Sequence, residues 1–139
     1  MPKNPPQGWP TISSAIFYQD ASAAIAWLVK VLGFETRLRV DGSDGSVLHS
    51  ELTLGDGVIM VASGGRPARK SPREVGGANT QTLFVYVNDV DAHFARARAA
   101  GASIVSELET KSYGDDYGTN RSYELEDLDG HHWWFAQRL

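Results

Sequence analysis

Apolar and polar positions change period several times along this chain, and each change marks an element. The first residues form a Pro-rich arm, because Pro2, Pro5, Pro6 and Pro10 cannot sit in a helix interior. Residues 11–18 (TISSAIFY) then read as a strand. From 20 to 32, Ala21, Ala24, Ile25, Leu28 and Leu32 recur at helical spacing, with Asp20 as N-cap and Gly33 as stop. Residues 34–40 alternate as a strand. The cluster from Asp41 to Gly45 predicts a hairpin into a strand over 47–54, and Gly55-Asp56-Gly57 turns the chain into another over 58–62.

Residues 63–80 break the pattern. Gly, Pro and Ser dominate, with Arg66, Arg69, Lys70 and Arg73 and little to bury. This reads as a long connecting loop, either a solvated linker or a mobile flap whose cations close over an anionic ligand. The pattern then restarts: a strand over 82–87, a helix capped by Asp89 through 100 and stopped by Gly101, and a strand over 102–108. A polar loop is expected over 109–120, then strands over 121–127 and 131–135.

The second half repeats the first. With Asp89 laid over Asp20, Ile25 meets Phe94, and Gly33 meets Gly101 after a one-residue slip. Further on, Glu51-Leu52 with Asp56-Gly57 lies over Glu124-Leu125 with Asp129-Gly130. A βαβββ unit recurs with a period of about 70 residues, consistent in turns, caps and apolar registers. One sheet face of such a unit needs cover, so two units must pair within a chain or between chains. The expected organisation is one domain: module one over 11–62, a linker over 63–80 and module two over 81–137.

Composition narrows the function classes. The chain has 139 residues, with 42% hydrophobic and 22% charged residues, ordinary for one globular domain. No cysteine is present, which excludes thiol catalysis, disulfides and Cys-ligated metal sites. The net charge of −4 argues against general nucleic-acid binding. No apolar run approaches the roughly 18 residues of a membrane span, and residues 1–10 lack a signal-peptide core, so the expectation is a cytoplasmic protein without membrane or nucleic-acid partners. Four Trp and five Tyr are either core or a stacking surface for a flat ligand. No nucleophile elbow, P-loop or dinucleotide Gly pattern is visible.

The doubled unit resembles the vicinal-oxygen-chelate superfamily of glyoxalase I, bleomycin-resistance proteins and extradiol dioxygenases. The residues that carry the likeness are Asp20, Ile25 and Leu32-Gly33-Phe34; the run from His49 to Gly57; the run from Val87 to Phe94 with Ala100-Gly101; and the run from Glu126 to Trp133. The last is similar to the family's acidic–Pro–acidic–Gly–His–x–Trp turn, with Leu128 in place of the Pro. The resemblance implies an α+β fold in which two βαβββ modules form cupped half-barrel sheets with the helices outside. It also implies a homodimer.

In metal-dependent members four His, Gln or Glu side chains hold a divalent ion in the cup. Carried across by the turns, those positions hold Ser14, Met60 (or Val61 with a one-residue slip), Thr82 and Trp134, none of them a good divalent ligand. No metal and no cofactor are therefore expected. A relocated site is the alternative. His49 and Glu51 share a strand face, and His132 shares one with Trp134, giving a two-His-one-carboxylate set. His131 reads as a turn residue and His93 as a helix-surface histidine.

Strand alternation predicts a cup lined by Ser14, Ile16 and Tyr18 from the first strand, by Thr82, Phe84 and Tyr86 from the fifth, and by Trp134 from the last. The loop from Tyr113 to Gly118 adds two phenols and two carboxylates as a rim. The expected function is metal-free binding of a small organic molecule, aromatic or cationic in the manner of an antibiotic. The alternatives are a metal-dependent lyase, isomerase or dioxygenase using His49, Glu51 and His132, or a protein–protein module.

Overall fold

The computed structural model describes residues 2–139. Strand β1 (Ser14–Tyr18) leads into helix α1 (Ala21–Trp27), and β2 (Glu35–Asp41), β3 (Val47–Leu54) and β4 (Gly57–Ser63) complete the first unit. Strand β5 (Thr82–Tyr86), helix α2 (Val90–Ala99), β6 (Ser103–Ser112), β7 (Thr119–Glu126) and β8 (His132–Arg138) complete the second. Each unit makes a mixed four-stranded sheet, ordered β1-β4-β3-β2 and β5-β8-β7-β6. The first strand of each lies parallel to the last, and the other pairs are antiparallel. The fold is the α+β architecture the resemblance implied, without a closed barrel.

Local chemistry sets the helix ends. Asp20 accepts from the Ala23 amide and Asp89 from the Ala92 amide, each at 3.0 Å, which satisfies free amides of the first turn. Beyond Trp27 the first helix widens into a π-type turn over Leu28–Leu32 and stops at Gly33, where φ is +87°. Three carbonyls of that turn take donors from α2. Arg96 reaches Lys30 and Val29 at 3.0 and 3.2 Å, and His93 Nε2 reaches Leu32 at 2.9 Å.

One core joins the two units on their helix sides. It contains Tyr18, Leu28, Leu32, Phe34, Val61, Tyr123, Leu125, Trp133 and Phe135, with Phe34 edge-on to Trp133 at 5.7 Å. Burial of these side chains from both halves stabilises them together, at roughly 1.5–3 kcal/mol per large apolar side chain. At its centre Asp127, only 3% exposed, accepts from Tyr18 Oη at 2.6 Å and Trp133 Nε1 at 3.0 Å. Its other oxygen takes the Asp129 and His131 amides, both at 3.0 Å.

Three expectations are corrected. The polar loop over 109–120 shrinks to 113–118, because β6 continues through Ser112 opposite Thr119. Glu109-Thr110-Lys111-Ser112 are polar on both faces, so alternation gave no signal; the segment is an exposed edge held by its ladder to β7. The segment 63–80 is not a solvated linker throughout. Ser71 and Pro72 are buried, a short 3₁₀ turn spans Pro72–Val75, and the Arg73 amide bonds to the Asp129 carbonyl at 3.2 Å. His93 is not on the helix surface: its ring lies against Phe135, tilted by 31° with centroids 4.1 Å apart, between the two units.

Candidate functional site

Both sheets turn a helix-free face away from the shared core. In a sheet, directly opposed residues point the same way, so the ladders define which side chains share that face. On the second sheet one row runs Phe84, Trp134, Glu124 and Ser106, and a second pairs Thr82 with His132 and Glu126. The equivalent row on the first sheet runs Ala15, Met60, Glu51 and Leu38, and next to it His49 lies opposite Val40.

The second face is aromatic and open. Phe84 is 54% and Tyr86 60% exposed, and their rings meet edge to face at 5.2 Å. Two large rings held out in water cost hydration free energy unless something covers them. A cleft of about 470 Å³ runs along the edge of β5, lined by residues of both its faces, Thr82, Phe84 and Tyr86 with Leu83 and Val85, and by Ile12, Val58 and Trp133. Its size falls in the ordinary range for small-molecule sites.

Each face carries one His–Glu pair. His49 Nε2 donates to Glu51 at 2.9 Å, and Arg37 Nε donates to the same carboxylate at 3.1 Å. The hydrogen bond from His49, assisted by Arg37, holds the Glu51 carboxyl below the usual carboxylate range, so it stays anionic. His132 Nδ1 donates to Glu124 at 3.0 Å. Arg37 also donates to the Gly8 carbonyl at 2.9 Å and lies 4.8 Å from the Trp9 ring centroid, which ties the N-terminal arm beside Met60.

The first-strand part of the expected lining is corrected. Ile16 and Tyr18 are buried in the shared core, and Ser14 Oγ accepts from Gln81 Nε2 at 3.0 Å. Ala15 and Phe17 occupy the helix-free positions instead. The signal was present in the sequence: Asp20 over Asp89 puts Ser13, Ala15 and Phe17 opposite Thr82, Phe84 and Tyr86. Thr82, Phe84, Tyr86, Met60 and Trp134 lie on the helix-free faces. Tyr113 sits at the tip of the β6–β7 hairpin, exposed, with its amide bonded to the Gly118 carbonyl.

Metal chemistry can be weighed on the donors themselves. Met60, Thr82 and Trp134, with Ser14 turned to Gln81, offer no set of imidazole or carboxylate ligands, so the inherited positions do not fit a divalent ion. The relocated set is not brought together within one chain. His49 belongs to Glu51 on one sheet and His132 to Glu124 on the other, and no group of three His, Asp or Glu able to hold a metal occurs among the described residues.

Comparison with known proteins places this geometry. The model of the Glyoxalase/Bleomycin resistance protein/Dioxygenase superfamily matches residues 12–135. The uncharacterized proteins Mb0911c of Mycobacterium bovis and Rv0887c of Mycobacterium tuberculosis are each 34% identical over 134 residues. The matches cover 92% of this chain and 83% and 74% of theirs. Among solved structures, TioX from Micromonospora sp. ML1 is 38% identical with a TM-score of 0.73, covering 92% of this chain and 98% of that one. TnmS3, an antibiotic binding protein from Streptomyces sp. CB03234, is 19% identical with a TM-score of 0.68, covering 91% and 93%, a likeness of fold.

Proposed function

The chain belongs to the Glyoxalase/Bleomycin resistance protein/Dioxygenase superfamily, and from that premise we propose that it binds a small, flat organic molecule without a metal. The observation that carries this reading is the open aromatic row: Phe84 and Trp134 opposed across β5 and β8, with Tyr86 beside them and Glu124 behind. Planar rings offer stacking area with little rotamer freedom to lose, and a carboxylate alongside favours a ligand carrying a cation. TnmS3, an antibiotic binding protein of this fold, supports the ligand class by analogy.

Homodimerisation belongs to the same reading. Leu38, Val40 and Leu48 are exposed on the first unit, and a second copy can cover them while leaving the aromatic row of the second unit open to ligand. Among the described residues no helix is long and apolar enough to cross a membrane. A cytoplasmic location is part of the same proposal.

The test is a fluorescence titration of the purified protein with proflavine, a flat aromatic cation, and with the anion naphthalene-2-sulfonate. Saturable binding of proflavine that Trp134→Ala weakens at least about tenfold supports the proposal. Stoichiometric Zn, Ni, Fe or Mn in protein purified without chelator overturns it in favour of a metal-dependent lyase, isomerase or dioxygenase. In that case His49→Ala should lower the metal content if His49, Glu51 and His132 assemble across chains.

A further inference from the structure

A second cleft, of about 320 Å³, lies beneath the segment that joins the two sheets, apart from Phe84, Tyr86 and Trp134. Ser14, Ala15, Ile16 and Phe17 all line it. Four consecutive strand residues alternate in face, so the cleft meets the edge of β1 rather than one of its faces. β1 is the edge strand of its sheet, with β4 as its one neighbour.

Alternation along β1 sorts its backbone groups. The Tyr18 carbonyl turns to β4, where it accepts from the Gly64 amide at 3.0 Å, and Ser14 and Ile16 follow it. Phe17 and Gln19 turn outward: the Phe17 carbonyl accepts from His131 Nε2 at 2.8 Å, and the Gln19 amide donates to Asp129 at 2.9 Å. The amide and carbonyl of Ala15 and the amide of Phe17 therefore also face outward. No partner in the chain takes them among the described residues. An edge that presents a donor, an acceptor and a donor in line is what an extended amide backbone pairs with.

The rest of the cleft adds charge and shape. Lys70 lines it, with Pro67, Val75, Ala78 and Leu83. Arg69 lies over the Phe17 ring, 5.4 Å from its centroid. Arg66, Arg69, Lys70 and Arg73 enter no ion pair among the described residues, although the chain as a whole is acidic. Glu74, the acid of this segment, is occupied in capping Ser71 at 3.0 Å.

We propose that this cleft binds an acylated α-amino acid unit with a free carboxylate and an apolar side chain. Its amide continues the sheet along Ala15 and Phe17, its carboxylate meets Lys70, and its side chain enters the space between Val75, Ala78 and Leu83. Ala15 to Phe17 spans about 7 Å at ~3.3 Å per residue, enough to pair one residue of an added strand. Such a unit has two sources, a peptide C-terminus or a small acylated amino acid.

The experiment is a ¹H–¹⁵N titration of the full chain with N-acetyl-L-leucine, N-acetyl-L-leucinamide and the tripeptide N-acetyl-Ala-Ala-Leu. The expected result is saturable shifts of the Ala15 and Phe17 amides with N-acetyl-L-leucine, and at least about tenfold weaker binding of the carboxamide. Lys70→Gln should cause a comparable loss and Lys111→Gln none, each variant's own spectrum reporting its fold. A tripeptide that binds about tenfold tighter identifies a peptide C-terminus; equal affinity identifies a single acylated amino acid. Equal binding of carboxylate and carboxamide, or no saturable shift at Ala15 and Phe17, overturns the proposal. Trp134→Ala leaves this binding unchanged, so failure here and failure of the aromatic-face reading are read separately.

Discussion

The two sheets share a backbone plan and differ in what they hold out on their helix-free faces. One presents Ala15, Met60, Glu51 and Leu38 in a row, the other Phe84, Trp134, Glu124 and Ser106. The carboxylate recurs at the same register, and each is partnered by a histidine, but from β3 in one sheet and β8 in the other. On the helix side the units merge into one core around Asp127. Packing therefore constrains one side of both sheets together, while the open side has been free to become aliphatic in one and aromatic in the other.

The sharpest way to break this comparison is at the joint. Asp127→Ala strands Tyr18 Oη and Trp133 Nε1 as buried donors, and the expected loss is about 3–5 kcal/mol, removing both units in one denaturation transition. Two separate transitions in urea would show instead that the halves fold independently. Gly130→Ala strikes the same turn more gently. Its φ is +93°, and an added Cβ would stand 3.0 Å from the Pro72 Cβ, so about 1–3 kcal/mol is expected from chemical denaturation.

The open faces are compared by binding rather than stability. Trp134→Ala should weaken proflavine at least about tenfold and Met60→Ala less than about threefold, with the urea midpoint nearly unmoved in both. Equal effects would erase the distinction between the aromatic and aliphatic faces.

A smaller effect reports on the seam. Burial lowers the His93 pKa from its ordinary 6.5; its Nε2–H is spent on Leu32, and its Nδ1 accepts from Tyr123 Oη at 2.6 Å. The folded state thus favours the neutral ring. As pH falls below about 6.5 the unfolded chain takes the proton first, so stability present above that pH declines until the folded-state value is reached. His93→Gln should flatten this slope in urea midpoints measured from pH 8 to 5. Smallest of all, Glu107→Ala removes an exposed 2.8 Å pair with Arg98 and should cost no more than about 0.5 kcal/mol.

Much of the fold was legible because its signals are local. Asp20, Gly33, Asp89 and Gly101 mark helix ends whatever surrounds them, and the repeat followed from their spacing. The extension of β6 was not legible, since Glu109 to Ser112 carry no apolar alternation. The face of β1 was legible only through the repeat. Alternation alone leaves Ile16 and Tyr18 as cup residues, whereas laying Asp20 over Asp89 puts Ala15 and Phe17 with Phe84 and Tyr86. The burial of Ile16 and Tyr18 agrees with the repeat. The edge groups of Ala15 and Phe17 have no side-chain signature, so their openness is a property of topology. The common face of Thr82, Phe84 and Tyr86 was legible from strand alternation, and the register of β5 on β8 adds Trp134 opposite Phe84.

The donors that α2 lends to the end of the first helix bear on how the chain is made. Val29, Lys30 and Leu32 keep unanswered carbonyls until His93 and Arg96 have been synthesised. A growing chain that stops at residue 80 holds a complete set of first-unit strands and a helix whose last turn has no partner. Such a fragment should unfold without cooperativity in urea, while the full chain folds as one. Translation thus delivers the two halves in sequence, but neither can be released to the cell as a finished part.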